Sequence, residues 1–226
     1  MNQRLENFIK NTFQQLAQKY PKLNVYAYDV ANELFLNDGG GMRPAGNSKW
    51  VQVYGDDSFV INAFTYARKY APKTTKLYYN DYNEYIQGKT DAMIKLAKDF
   101  KEKGILDGLG LQSHLDIGFP NAAQYKSALD KFAAAGVDIQ ITELDVTTNE
   151  KSGFTNQAKY YGDIFKAIMA NKDAISAVVF WGTTDDKSWR AQQSPLLFNG
   201  DYTAKPCFYS IAETVTDTLL LYHQGY

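Results

Sequence analysis

The 226-residue sequence predicts an α/β fold on a parallel sheet of the (β/α)-barrel kind, and two observations carry that expectation. Apolar segments with strand character alternate with amphipathic helical segments along the chain, the order that βαβ units impose. Each predicted strand also hands over to a polar or aromatic residue, where turn chemistry would favour Gly, Asp or Pro. In a (β/α) barrel the C-terminal ends of the strands form the active-site face, and several strands contribute to it.

Taken in order, the elements read as follows. Leu5, Phe8, Ile9, Phe13, Leu16 and Ala17 recur at helical spacing up to Tyr20, and Pro21 follows the helix end. The strand Asn24–Val30 runs into Asn32-Glu33 and the glycine-rich loop "LNDGGG". A helix over Ser58–Tyr70 leads to the strand Lys76–Tyr79, which ends in "YYNDYN" with Asn80 and Asn83. A helix over Asp91–Lys103 precedes the strand Leu109–Ser113, which ends in "LQSHL" with Gln112 and His114. A helix over Asn121–Ala135 precedes the strand Asp138–Thr142, which delivers Glu143 in "ITELDV". The last pair is a helix over Thr155–Asn171 and a strand over Ala177–Trp181, ending in "FWG". No linker, low-complexity tract or compositional shift divides residues 1–226, so one domain is expected.

Composition narrows the function. Twenty-four basic and 25 acidic residues leave a net charge of −1, which gives no pull toward nucleic acid or an anionic membrane. No run approaches the ~18 apolar residues of a membrane span, and the first twenty residues lack the apolar segment of a signal peptide. Cys207 is the only cysteine, so no intrachain disulfide or Cys-based metal site is readable, and two histidines do not make a His-rich one. Seventeen tyrosines bring the aromatic content to 15%, which fits either a ring-shaped ligand such as a glycan or aromatic filling of core edges.

Glu33 and Glu143 are the two carboxylates at strand ends. Alone, each reads as a solvent-facing loop residue. Together in one cleft they suit glycoside hydrolysis, where one protonates the leaving oxygen and the other attacks the anomeric carbon or activates water. His114 lies two residues after Gln112, which in a strand puts both on one face. A histidine beside a carboxylate can donate a hydrogen bond and keep it ionised; the alternative is a satisfied core histidine. Trp181 and Trp189 flank "GTTDDKS" and form either an apolar floor for a sugar ring or core packing. Asp145 reads as an orienting residue, and Asp185 and Asp186 as loop and capping residues rather than metal ligands.

The motifs "DVANE", "LYYNDYN", "GLGLQSHL", "ITELDV" and "FWGTTDDKSW" stand in the order and spacing of family 10 glycoside hydrolases, and the chain resembles that family along nearly its whole length. "SKWVQVYGDDSFVINAFTYARKYAP" is similar to the family segment after the acid/base strand, and "PLLFNGDYTAKPCFYSI" to its C-terminal stretch. The resemblance implies a retaining endo-β-1,4-xylanase (glycoside hydrolase) acting on xylan or xylo-oligosaccharides without metal or organic cofactor. By matching position Glu33 is the acid/base and Glu143 the nucleophile. Asn32 matches the residue that bonds the sugar 2-hydroxyl, Gln112 and His114 the polar pair around the nucleophile, and Trp181 and Trp189 the wall of the glycone side. Asn80, Tyr82 and Asn83 fall where the family lines the leaving-group side.

The resemblance places the five predicted strands as strands four to eight of a (β/α)8 barrel, making residues 1–226 the C-terminal portion of one catalytic barrel, with the first three strands absent from this chain. The expected partners are therefore the glycan and either those strands or another copy of the chain. The family resemblance further implies an extracellular, periplasmic or cell-surface location. Two alternatives stay open: another retaining β-glycanase, or a non-catalytic glycan-binding fragment.

Overall fold

Leu5, Ile9 and Phe13 recur every fourth residue and are the buried side chains of the first helix, α1 (Asn2–Lys19). The structure, a computed structural model, describes residues 1–223 and divides into two units, Met1–Gly110 and Leu111–Tyr226. In the first unit α1 is followed by β1 (Ala27–Asn32), α2 (Lys49–Tyr54), α3 (Ser58–Tyr70), β2 (Lys76–Asp81), α4 (Gln87–Glu102) and β3 (Gly108–Leu111). Helix α3 buries Phe59, Val60, Ala63, Phe64 and Ala67 along one face. Leu77 and Tyr79 in β2 and Leu109 in β3 are fully buried.

β1 and β2 pair in parallel, and the register carries one extra β1 residue between the pairs Asp29↔Tyr78 and Ala31↔Tyr79. That bulge sits just before Asn32-Glu33 and turns the strand end. The glycine-rich loop has a packing reason. A Cβ on Gly39 would lie 2.1 Å from the carbonyl carbon of Gly88, and one on Gly88 would lie 2.3 Å from the Asp38 carbonyl oxygen. Loop and helix N-terminus meet backbone to backbone, which only glycine permits on both sides.

The second unit holds β4 (His114–Asp116), α5 (Ala122–Ala134), β5 (Asp138–Thr147), α6 (Thr155–Ala170), β6 (Ile175–Phe180) and α7 (Pro206–His223). Asn121 and Gln124 form a capping box at the start of α5. β4 and β6 both pair in parallel with β5. Leu115, Leu129, Phe132, Ile139, Ile141, Leu144, Val146 and Ile164 form the fully buried core.

Several expectations need correction. The predicted strand Leu109–Ser113 ends at Leu111, and a separate strand starts at His114, because Ser113 adopts a left-handed φ of 55° between them. The alternation argument for Gln112 and His114 therefore does not apply. Glu143 lies inside β5 rather than at its end. The strand pairs with β6 as far as Leu144↔Phe180 and with β4 from Asp145↔His114 onward, so it extends to Thr147. Helix α4 begins four residues before the predicted Asp91, because Gly88 and a polar first turn hide its start. Asp185 lies in a turn after β6 as expected, but its side chain is buried: it accepts from the Leu196 N–H at 2.7 Å and pairs with the buried Lys205 at 2.9 Å. Helices α2 and α7 and two 3-10 turns, Asp185–Lys187 and Ala191–Gln193, were not expected from the pattern.

Candidate active site

In the first unit the candidate residues gather around the turn that leaves β1. Glu33 has a left-handed φ of 56°, and Asn83, which follows β2, has the same value. Such conformations in non-glycine residues persist only where the surroundings fix them. Here the Glu33 N–H donates to the Asn80 carbonyl at 3.0 Å and the Glu33 carbonyl accepts from Arg43 Nε at 2.8 Å. The side chains form a line: Asn80 Nδ2 donates to Asn32 Oδ1 at 3.0 Å, and Asn32 Nδ2 approaches Glu33 Oε1 at 3.4 Å. Fixing the Asn32 oxygen toward Asn80 aims its amide hydrogens at the carboxylate. Tyr82 accepts from Arg43 Nη2 at 2.6 Å and donates to Asn37 Oδ1 at 2.5 Å, while Asn83 Nδ2 reaches the Asn37 carbonyl at 3.4 Å. Asn32, Glu33, Asn80, Tyr82 and Asn83 are thus one network, tied together by Arg43 and Asn37, which sequence reasoning had not singled out.

In the second unit the β4–β5 register sets His114 opposite Asp145. His114 lies between two carboxylates, with Nε2 3.3 Å from Glu143 Oε2 and Nδ1 3.1 Å from Asp145 Oδ2. The Nδ1 approach is a charge contact outside good hydrogen-bond angles. Burial pushes the imidazole toward its neutral form, but the facing carboxylates of Asp145 and then Glu143 outweigh it and raise the pKa from 6.5 to about 9. His114 is therefore a cation at neutral pH, held against Glu143. Asp145 is fully buried and also receives Trp189 Nε1 at 2.8 Å and Arg190 Nη1 at 3.2 Å. The Trp189 ring meets His114 edge to face at 5.0 Å, and the Arg190 guanidinium lies over the Trp189 ring.

Of the other candidates, Gln112 is buried and its carbonyl accepts the Glu143 N–H at 3.1 Å. Trp181 is joined to β5 through its N–H to the Leu144 carbonyl at 3.1 Å. Trp181 and Trp189 are 47% and 63% exposed as residues, so neither is packed into the core of its unit. Beside the cluster, Asp116, Ile117, Thr147, Thr148, Asn149 and Gln193 line a cavity of about 270 Å³. Among the described residues no group of three or more His, Cys, Asp or Glu is placed to hold a metal ion, and no helix is long and apolar enough to cross a membrane. Arg190 was missed because an arginine after "SW" carries no distinguishing spacing.

The second unit brings together two exposed tryptophans, a largely buried carboxylate and an imidazolium facing it. The family model described as glycosyl hydrolase family 10 matches residues 1–214. The bifunctional endo-1,4-beta-xylanase XylA of Ruminococcus flavefaciens is 56% identical over 92% of this chain and 22% of its own length. Endo-1,4-beta-xylanase Y of Acetivibrio thermocellus is 44% identical over 95% of this chain and 22% of its own. The Clostridium thermocellum xylanase 10B CBM22-1–GH10 structure, complexed with xylohexaose, superposes with a TM-score of 0.88 at 43% identity, covering 94% of this chain and 45% of that one. A mutant of the intracellular xylanase TsXylA of Thermoanaerobacterium saccharolyticum, complexed with xylotriose, gives 0.85 at 37% identity, covering 93% and 65%. The chain spans about a fifth of the length of those two curated relatives. Its parallel strands and alternating helices are part of a TIM barrel, as the neighbours' fold shows. A family model matched over residues 1–214 and relatives this similar across the same span lead to one conclusion: the chain belongs to glycosyl hydrolase family 10.

Proposed function

We propose that the protein carrying this chain is an endo-β-1,4-xylanase that hydrolyses internal bonds of xylan by retaining double displacement. The single observation that carries the reading is the pairing of Glu143 with a protonated His114 at 3.3 Å. The imidazolium sets a positive charge against the carboxylate that would attack the anomeric carbon. The Glu143 carboxylate attacks the anomeric carbon while Glu33 gives its proton to the departing glycosidic oxygen. The Glu33 carboxylate then takes a proton from water, which displaces Glu143 and restores both groups. Asn32 binds the 2-hydroxyl of the sugar at the cleavage point, and Trp181 and Trp189 supply rings against which a pyranose packs. Gln112 steadies Glu143 through its backbone, and Asn80, Tyr82 and Asn83 line the leaving-group side. The complexes of the neighbours with xylohexaose and xylotriose support the substrate class.

The two glutamates are tested with an aryl xylobioside whose leaving group needs no proton. Glu143→Ala should abolish turnover of every substrate. Glu33→Ala should give a burst and then a stall that azide relieves, because azide needs no general base. A burst with azide rescue in Glu143→Ala instead, with the retained anomer, would exchange the two roles.

A second reading has its own support. Two further relatives, 39% and 38% identical, are an exoglucanase XynX of Acetivibrio thermocellus and a thermostable celloxylanase of Thermoclostridium stercorarium. A β-glucan-active enzyme with the same carboxylate pair would turn over cellohexaose as readily as xylohexaose, and side-by-side kinetics separates the two. Polymeric xylan does not cross a cell envelope, which supports an extracellular, periplasmic or cell-surface site of action; the TsXylA neighbour is described as intracellular. Secretion of the tagged protein by its native host, followed in culture fractions, decides it.

A further inference from the structure

The Glu33 turn rests on three buried side chains to which no role has so far been given. Tyr79 Oη accepts the Leu34 N–H at 3.1 Å and donates to Asp81 Oδ2. Asp81 pairs through Oδ1 with Lys89 Nζ at 2.9 Å, and both side chains are 0% exposed. Asp81 Oδ1 also receives the Tyr82 N–H at 2.9 Å. Lys89 Nζ donates to the Phe35 carbonyl at 3.3 Å and lies 4.6 Å from the centre of the Tyr82 ring. The line Tyr79–Asp81–Lys89 therefore begins and ends on the backbone of the two residues after Glu33.

We propose that Tyr79, Asp81 and Lys89 are positioning residues that lock the left-handed turn at Glu33 and so aim its carboxyl group. The proposal rests on the reading of Glu33 as the acid/base. Two physical arguments lead to it. A glutamate at φ 56° is held against its own preference and needs its flanking groups fixed. The fixing is complete: Arg43 takes the Glu33 and Leu34 carbonyls at 2.8 Å each, Asn80 takes the Glu33 N–H, and the buried line takes the Leu34 N–H and Phe35 carbonyl. The second argument is cost. A fully buried ion pair is a poor means of stabilising a fold, because apolar side chains of the same volume avoid its desolvation. Apolar side chains could not accept one backbone group and donate to another across the same turn. The Gly39–Gly88 contact brings the first turn of α4, and with it Lys89, under the loop.

The test uses Tyr79→Phe, which removes only the hydroxyl, and the double variant Asp81→Asn/Lys89→Met, which removes both buried charges together. Amide hydrogen exchange at Leu34 is read by NMR, with the three-bond coupling of Glu33 reporting its φ. Turnover of xylohexaose is compared with the pre-steady-state burst rate on a dinitrophenyl xylobioside. We expect Leu34 exchange to accelerate roughly tenfold, as loss of one hydrogen bond allows. We also expect kcat on xylohexaose to fall about tenfold, a fraction of the usual worth of acid catalysis, with KM and the burst rate on the dinitrophenyl substrate little changed. A purely structural role would lower both substrates together or neither. Glu33→Ala is the control. If it fails to discriminate between the two substrates, the acid/base reading falls. If it discriminates while the folded Tyr79→Phe and double variants keep the wild-type Glu33 coupling, Leu34 exchange and substrate ratio, the positioning inference is overturned and the reading of Glu33 stands.

Discussion

Asp145 is where the electrostatics of the second unit can be tested hardest. It is 0% exposed and faces His114 Nδ1 at 3.1 Å, Arg190 Nη1 at 3.2 Å and the Trp189 indole N–H at 2.8 Å. Asp145→Asn keeps the shape and an acceptor for Trp189 but removes the charge. Stranding a buried cation by deleting its partner costs about 3–5 kcal/mol. Both cations here keep a second partner, Glu143 at 3.3 Å for His114 and the Leu115 carbonyl at 3.1 Å for Arg190. Both are also slightly exposed, 13% and 21% by side chain. The expected loss is therefore below that range, about 2–3 kcal/mol. The assay is urea denaturation at pH 7 with NMR titration of His114. The midpoint should move down, and the His114 pKa should fall from about 9 toward 6.5. A loss under about 0.5 kcal/mol, the scatter of a neutral surface substitution, with His114 still titrating near 9, would refute the reasoning.

Three further outcomes follow from the same structure. The pKa of His114 is raised on folding, so its contribution is full below the unfolded value of 6.5 and lost as pH rises through about 9; thermal melts should drop across that window, and His114→Asn should flatten the drop. Gly39→Ala should cost about 2–4 kcal/mol by urea denaturation, since its Cβ meets backbone at 2.1 Å and its φ is +80°, while Gly55→Ala, at φ +84° with open space, should cost only about 1 kcal/mol; equal losses would contradict the packing account. Among the described residues β1 pairs only with β2, and β6 only with β5, and Tyr26, Val179 and Trp181 beside and within them are 56%, 43% and 47% exposed. Residues 1–226 expressed alone should therefore self-associate on size-exclusion chromatography with light scattering, and a monodisperse monomer at high concentration would contradict this.

Most strands and helices were legible because they sit in strong local patterns. Ser58–Tyr70 matches its periodicity residue for residue, and "YAYDVANE" and "ITELDV" mark where apolar alternation hands over to chemistry. What stayed hidden was set by long-range contacts. Nothing local marks Glu33, Asn83 or Ser113 as left-handed, since none is glycine. Lys89 and Asp81 look like ordinary surface charges in sequence, yet both are fully buried, because each finds its partner only once β2 and α4 have formed. The buried pairing of Asp185 was hidden for the same reason, its partner Lys205 lying twenty residues on. Helix α2 is six residues with no buried side chain, too short for periodicity to show.

The central claim is that Glu143 becomes covalently bound to the sugar. It is tested most directly by incubating the protein with a 2-deoxy-2-fluoro-xylobioside bearing a dinitrophenolate leaving group, then mapping the adduct by mass spectrometry of proteolytic peptides. The fluorine slows both steps, but the good leaving group lets the first proceed, so the intermediate accumulates. The account predicts one added fluoro-xylobiosyl group, on the peptide containing Glu143 and on that side chain. An adduct on Glu33, or turnover of the parent xylobioside with no adduct and inversion at the anomeric carbon, would contradict it.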